Sequence, residues 1–304
     1  MRPLAVSCLL AAAIAPNLLA GAPPVAPVVH RLAADASGIF ANAYVVETAR
    51  GLVVIDGRLL TSDGQAVRAK LDALGKPLLA VLVTHGHPDH YNGITEIVSG
   101  ADVPIVATAG VAEVIRKDDA AKEAQWSATF GAEWPKKRTF PDRVVKDGDS
   151  LAVGGLTFKV HDLGPGESHS DSYWTTELDG RRVAFIGDAV LHGMHAYVAD
   201  GHTSRWLANL DRLRRELADA ATLYPGHGDP GGLEMLDWQK NYLTHYRAAV
   251  KELAGGEARL SEAQKKDLVA RMKRVLPDDR LEFLVPLGAD AVAAELAAEP
   301  RDRR

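Results

Sequence analysis

Cysteine is almost absent from this chain: Cys8 is the one thiol in 304 residues. That excludes a disulfide framework, so the fold must be held by its core. No dense basic run appears, and the formal net charge is -5. A nucleic-acid or anionic-membrane partner is therefore not expected. Beyond the N-terminal segment no apolar run is long enough to cross a bilayer. There is no internal repeat, and the Pro/Ala-rich stretch 22–28 is the one biased segment. What is present is a 47% hydrophobic, 25% charged composition. At this length that supports one large α/β domain with a sizeable core.

The start reads as an export signal. Met1-Arg2 precedes an apolar stretch from Leu4 to Ala20, with small residues at Ala20, Gly21 and Ala22. Pro16 and Asn17 interrupt the apolar run, which favours a cleaved leader over a membrane anchor. The expected organisation is a signal peptide over 1–22, an exposed lead-in over 23–36, and one domain over 37–304 with a helical extension from about 232. Cys8 has too little apolar sequence before it for a lipoprotein acceptor, so the mature protein would be periplasmic or secreted and free of cysteine.

The densest chemistry lies in His85-Gly86-His87-Pro88-Asp89-His90, directly after the strand-like run Leu78 to Thr84. Three imidazoles and a carboxylate at a strand end are a metal site by composition and position. Further donors follow apolar runs or glycine turns: His169 in Gly164-Pro165-Gly166-Glu167-Ser168-His169, Asp188 after Ile186-Gly187, and His227 in Pro225-Gly226-His227-Gly228. Five histidines and two aspartates are enough for two divalent ions. Zinc is the default for such nitrogen and oxygen donors, with iron or manganese as alternatives. Two cations sharing a water bring its pKa near neutrality, and Asp89 is placed to orient that water and relay its proton.

The HxHxDH run, the later glycine-flanked histidine, the strand ending in Gly-Asp and the Pro-Gly-His-Gly turn together resemble the metallo-β-lactamase superfamily of hydrolases. The resemblance covers roughly residues 37–230. The strand pair Asn42 to Glu47 and Gly51 to Gly57 is similar to the hairpin that opens its fold. It implies a four-layer αβ/βα sandwich. It also implies His85, His87 and His169 on one metal, Asp89, His90 and His227 on the other, and Asp188 bridging.

Periodicity predicts helices over 61–74, after the metal run, from Val111, over Trp206 to Leu217 with Thr203 as N-cap, and over 233–253 and 261–274. Strands are predicted at 103–107, 156–160 and 173–176. Trp126, Phe130, Trp134 and Phe140 lie in a loop or short helical flap that covers an apolar substrate, or else pack locally. After Asp188, His192 and Tyr197 are candidate donors to an oxyanion or leaving group. Asp56 and Asp171 orient ligands or cap turns.

The expected activity is hydrolysis of a carbonyl–heteroatom bond in a small molecule, an ester or lactone, by a metal-bridging hydroxide. A periplasmic β-lactam hydrolase is the alternative. An inactive metal-binding member of the fold is a third reading, although no ligand is missing.

Overall fold

The computed structural model describes residues 26–299. The expected leader, with Cys8, lies outside them.

A first sheet contains β1 (Val28–Ala33), β2 (Asn42–Glu47), β3 (Leu52–Ile55), β4 (Leu78–Leu82), β5 (Ile105–Thr108) and β6 (Arg143–Val145), in that spatial order. Its first three strands are antiparallel and the rest parallel. The parallel crossovers carry helices, as parallel pairing requires. These are α1 (Thr61–Leu74), then α2 (Pro88–Tyr91) and α3 (Ile94–Val98), then α4 (Ala109–Phe130). A second sheet has the order β11 (Thr222–His227), β10 (Arg181–Leu191), β9 (Asp171–Leu178), β8 (Leu156–Gly164) and β7 (Ser150–Val153). Helix α5 (Thr203–Glu216) makes the crossover between parallel β10 and β11.

The period-2 alternation of strand side chains sorts the core into layers. Tyr44, Val46, Val53 and Ile55 face the second sheet and meet Phe158, Val160, Trp174 and Phe185. Their neighbours Val45 and Val54 face outward onto Val67 and Leu71 of α1 and Val111 and Ile115 of α4. On the far side, Ala184 and Ile186 of β10 pack under Trp206, Leu210 and Leu213 of α5 and under α6 (Glu234–Ala254). Helix, sheet, sheet, helix is thus a four-layer α/β sandwich. The C-terminal region adds α7 (Glu262–Val275) and α8 (Ala289–Ala298).

Two local expectations are corrected. Residues 28–33 of the expected lead-in form β1, paired along its whole length with β2, because His30 and Arg31 gain partners there in Glu47 and Asn42. Thr203 is the first residue of α5 rather than its cap. The orphan amides of Thr203 and Ser204 are satisfied from another helix, by the Glu295 carboxylate of α8 at 3.0 and 2.8 Å.

Candidate metal centre

Both sheets deliver donors to one edge of the sandwich. Strand β4 leads into His85 and His87, and His87 caps α2, whose first residue is Pro88. Proline suits that position because its fixed φ matches the helix and its missing N–H is an orphan anyway. Asp89 and His90 therefore fall in the first turn, folded back against the strand end. From the second sheet come Glu167 in the β8–β9 turn, Asp188 on β10 and His227 at the end of β11. Two glycines make this approach feasible. Gly187 has φ +50°, and a Cβ there would lie 2.6 Å from Thr84 Oγ1. A Cβ on Gly226 would lie 1.7 Å from Asp188 Oδ1.

The donors form two buried groups: His85, His87 and Glu167, and Asp89, His90, Asp188 and His227. In the first, His87 Nδ1 is 2.9 Å and His85 Nε2 3.5 Å from Glu167 Oε2. In the second, Asp89 Oδ2 is 3.4 Å from His90 Nε2 and 3.1 Å from His227 Nε2. Asp188 stands between them. Its Oδ1 is 3.3 Å from His90 Nε2, while its Oδ2 is 3.3 Å from His227 Nε2 and 3.9 Å from His85 Nε2. Metal–ligand bonds of about 2.1 Å in a tetrahedron put neighbouring donors roughly 3.4 Å apart, which these spacings match. His85 Nε2, His90 Nε2, both Glu167 oxygens and Asp188 Oδ1 are buried with no hydrogen-bond partner. Orphaned lone pairs of this kind are costly without a cation, so the donor set fits two divalent metals.

Neighbouring groups fix the rings. Asp56 Oδ2 accepts from His90 Nδ1 at 2.9 Å and from Thr84 Oγ1 at 2.8 Å, and its Oδ1 accepts from the Thr84 amide at 2.9 Å. That contact anchors the Nδ1 side of the ring and turns Nε2 toward the site, where a cation would replace its proton. Asp200 Oδ2 does the same for His87, 3.1 Å from Nε2, leaving Nδ1 for Glu167 and the metal. Asp171 accepts from the Glu167 amide at 2.6 Å and from the Ser168 hydroxyl at 2.5 Å, which ties the turn that presents Glu167.

Burial dominates the electrostatics. It holds the His85 ring well below the usual imidazole range, reinforced by the nearby His90. It pushes the Glu167 carboxyl up to about 8 against the pull of His87, and the Asp171 carboxyl up to about 7. Burial also opposes charge on His87 and His227, but adjacent carboxylates outweigh it, Glu167 for the first and Asp188 for the second. These rings sit at about 10 and about 9. Protons stand where cations would bind, so metal uptake releases them.

The sequence expectation placed His169 on the first metal. The structure places Glu167, not His169, beside His85 and His87. The amides of Glu167 and Ser168 both turn onto Asp171, which directs Glu167 inward. His169 is left 46% exposed, its Nδ1 2.7 Å from His202 Nε2. The signal was the Gly-Pro-Gly turn, which ends on Glu167 two residues before the histidine. His85 and His87 fall in one donor group, and Asp89, His90, Asp188 and His227 in the other.

His87, Asp89, Glu167, Asp188 and His227 floor an open cleft. Trp126, Phe130, Trp134 and Tyr197 line it, so part of the candidate aromatic segment faces the same cleft as the donors. Trp126 and Phe130 belong to α4 rather than to a loop, and Phe140 packs away on Tyr91. His192 does not reach the cleft. Its Nδ1 lies 2.9 Å from the Asp229 carbonyl and its ring rests on Trp238, so it serves the loop after β10. Lining residues that carried no sequence signal include Lys122 of α4, Ile39 and Leu59, and Leu281, Phe283 and Leu284 before α8.

Known proteins resemble this arrangement. A hydroxyacylglutathione hydrolase from Albidiferax ferrireducens is 28% identical over 187 residues, 60% of this chain and 60% of the relative. A metallo-beta-lactamase type 2 from Bacillus sp. strain 170 is 23% identical over 64% of this chain and 69% of its own. The chain spans about half to three fifths of the length of the hydroxyacylglutathione hydrolases it matches. Among solved structures, a metallo-beta-lactamase family protein from Thermus thermophilus superposes with a TM-score of 0.61 at 21% identity. It covers 88% of this chain and 91% of that one. Residues 36–227 match the model of the metallo-beta-lactamase superfamily, and with the donors in these positions the chain belongs to that family.

Proposed function

We propose that the protein is a two-metal hydrolase, zinc by default, that cleaves a carbonyl–heteroatom bond in a small ester or lactone with an apolar body. The observation that carries this reading is two buried groups of seven donors, with orphaned lone pairs, of which His87, Asp89, Glu167, Asp188 and His227 line an aromatic-walled cleft. Glu167, His85 and His87 would hold one cation, Asp89, His90 and His227 the other, with Asp188 shared. Divalent cations bound there acidify water and polarise the scissile carbonyl.

The chain's own residues do the rest. Asp89, held well below the usual carboxylate range by His90 and His227 despite its burial, keeps a charged oxygen to orient the attacking water. That carboxylate takes the water's proton and passes it to the leaving atom. Tyr197, edge-on to His87 at 5.0 Å between ring centres, lines the cleft where its hydroxyl can donate to the departing oxygen. Trp126, Phe130 and Trp134 exclude water from the acyl side.

A β-lactam hydrolase is the second reading, favoured by the likeness to the Bacillus type 2 enzyme. The test is a panel of an aryl ester, a lactone, a thioester and a chromogenic cephalosporin, with the zinc-loaded protein and a chelated control. Chelator-sensitive ester or lactone turnover supports the proposal. Turnover of the cephalosporin alone moves the assignment to β-lactams. No turnover by a protein holding two metals refutes both.

A further inference from the structure

Lys122 is the one lysine or arginine among the described residues that line the cleft. Its side chain is only 14% exposed, unlike a solvated surface lysine. The ammonium carries three N–H donors. Within hydrogen-bond distance it meets one acceptor, the Tyr197 hydroxyl at 3.3 Å. The nearest carboxylate oxygen, Asp200 Oδ1, is 3.9 Å away, and Asp200 is already engaged with His87 at 3.1 Å. The ammonium also lies 5.1 Å from the centre of the Tyr197 ring, and its remaining donors open onto the cleft, where an anionic group of a ligand can meet them.

The position on α4 says what that anion is attached to. Lys122, Trp126 and Phe130 are spaced by four, and all three line the cleft. They form one stripe on the helix, rising roughly 6 Å per step. The cation lies beside Tyr197, which touches the first metal cluster through His87, and the aromatic rings continue away from it.

We infer that Lys122 is the specificity determinant of the cleft. It binds a carboxylate on the substrate while the apolar body of the same molecule lies along Trp126 and Phe130. The substrate class is then an anionic, apolar-bodied ester or lactone rather than a neutral one. This rests on the hydrolase reading above for its kinetic test, and on binding alone for its second test.

The kinetic test compares mono-(4-nitrophenyl) glutarate with 4-nitrophenyl pentanoate, two esters of matched length of which only the first is charged. A hydrogen-bonded charge contact of this kind is worth about tenfold or more. Lys122→Met is expected to lower the ratio of kcat/KM for the charged over the neutral ester by about that factor. Lys122→Arg should recover part of it, at unchanged metal content. An unchanged ratio, with both esters losing equally, overturns the inference and leaves Lys122 as a support for Asp200.

The second test titrates 4-phenylbutyrate and 4-phenylbutanamide into the metal-loaded protein and follows tryptophan fluorescence, since Trp126 and Trp134 line the cleft. The wild type should prefer the carboxylate, and Lys122→Met should lose that preference. Retention of the preference in the variant overturns the inference. If neither ester is hydrolysed by the wild type, simple esters are excluded as substrates while this titration still decides the role of Lys122.

Discussion

Asp56→Asn is a change of one atom in a residue that touches no proposed substrate, yet it should weaken metal binding. Asp56 accepts three hydrogen bonds, at 2.8 to 2.9 Å, from the Thr84 amide, the Thr84 hydroxyl and His90 Nδ1. An asparagine offers one oxygen and one NH2 group. If the NH2 takes the Oδ1 position, it opposes the Thr84 amide, donor against donor. If it takes the Oδ2 position, it faces His90 Nδ1 and forces that nitrogen to accept. The ring proton then moves to Nε2, the atom that lies 3.3 Å from Asp188 and 3.4 Å from Asp89, where a lone pair is needed. The first outcome leaves buried donors opposed, at about 1–3 kcal/mol; the second removes the lone pair that a cation needs. Loss of a group that orients a ligating histidine lowers metal affinity roughly 10- to 100-fold, which is the same energy range. The assay is zinc competition against a chromogenic chelator, with the melting point of the metal-free variant measured alongside to separate folding from affinity. Zinc affinities within twofold of the wild type at both sites, in a folded variant, would refute the reasoning.

Two further outcomes follow from the same geometry. Phe130→Ala removes part of the cleft wall without touching a donor, so KM for an apolar ester should rise about fivefold or more while metal content stays at the wild-type level. An unaltered KM would remove Phe130 from the binding surface. His161, stacked on Tyr173 at 4.3 Å, is pulled down to about 4 by burial and then by Lys159. The unfolded chain therefore binds this proton below about pH 6.5 and the folded one only near 4, so stability is lost as pH falls through that window. The drop in melting temperature from pH 7 to pH 5 should be smaller in His161→Gln than in the wild type. An equal drop would show that His161 is not a source of acid sensitivity.

Much of the centre was legible because its donors are punctuated. His85, His87, Asp89 and His90 follow an apolar strand within six residues, and Asp188 and His227 are each introduced by glycines whose missing Cβ makes room for the site. Strand alternation and the helical stripe of α5 likewise follow from one-dimensional periodicity. What sequence could not reveal are choices made by three-dimensional contacts. Glu167 replaces His169 because Asp171 folds the turn, and residue type alone favoured the imidazole. The four-residue spacing of Lys122, Trp126 and Phe130 is helical, but the charges around it in α4 conceal a stripe that faces a cleft rather than a core. Strand β1 looked like a lead-in because its pairing partner β2 supplies what its own composition does not.

A two-metal centre completed by Glu167 can be read from metal content per chain, measured by mass spectrometry on the purified wild type, Glu167→Ala and His169→Ala after zinc loading and desalting. Two ions are expected in the wild type and in His169→Ala, and about one in Glu167→Ala. A wild type that retains fewer than two, or loss of an ion in His169→Ala with none in Glu167→Ala, would contradict it.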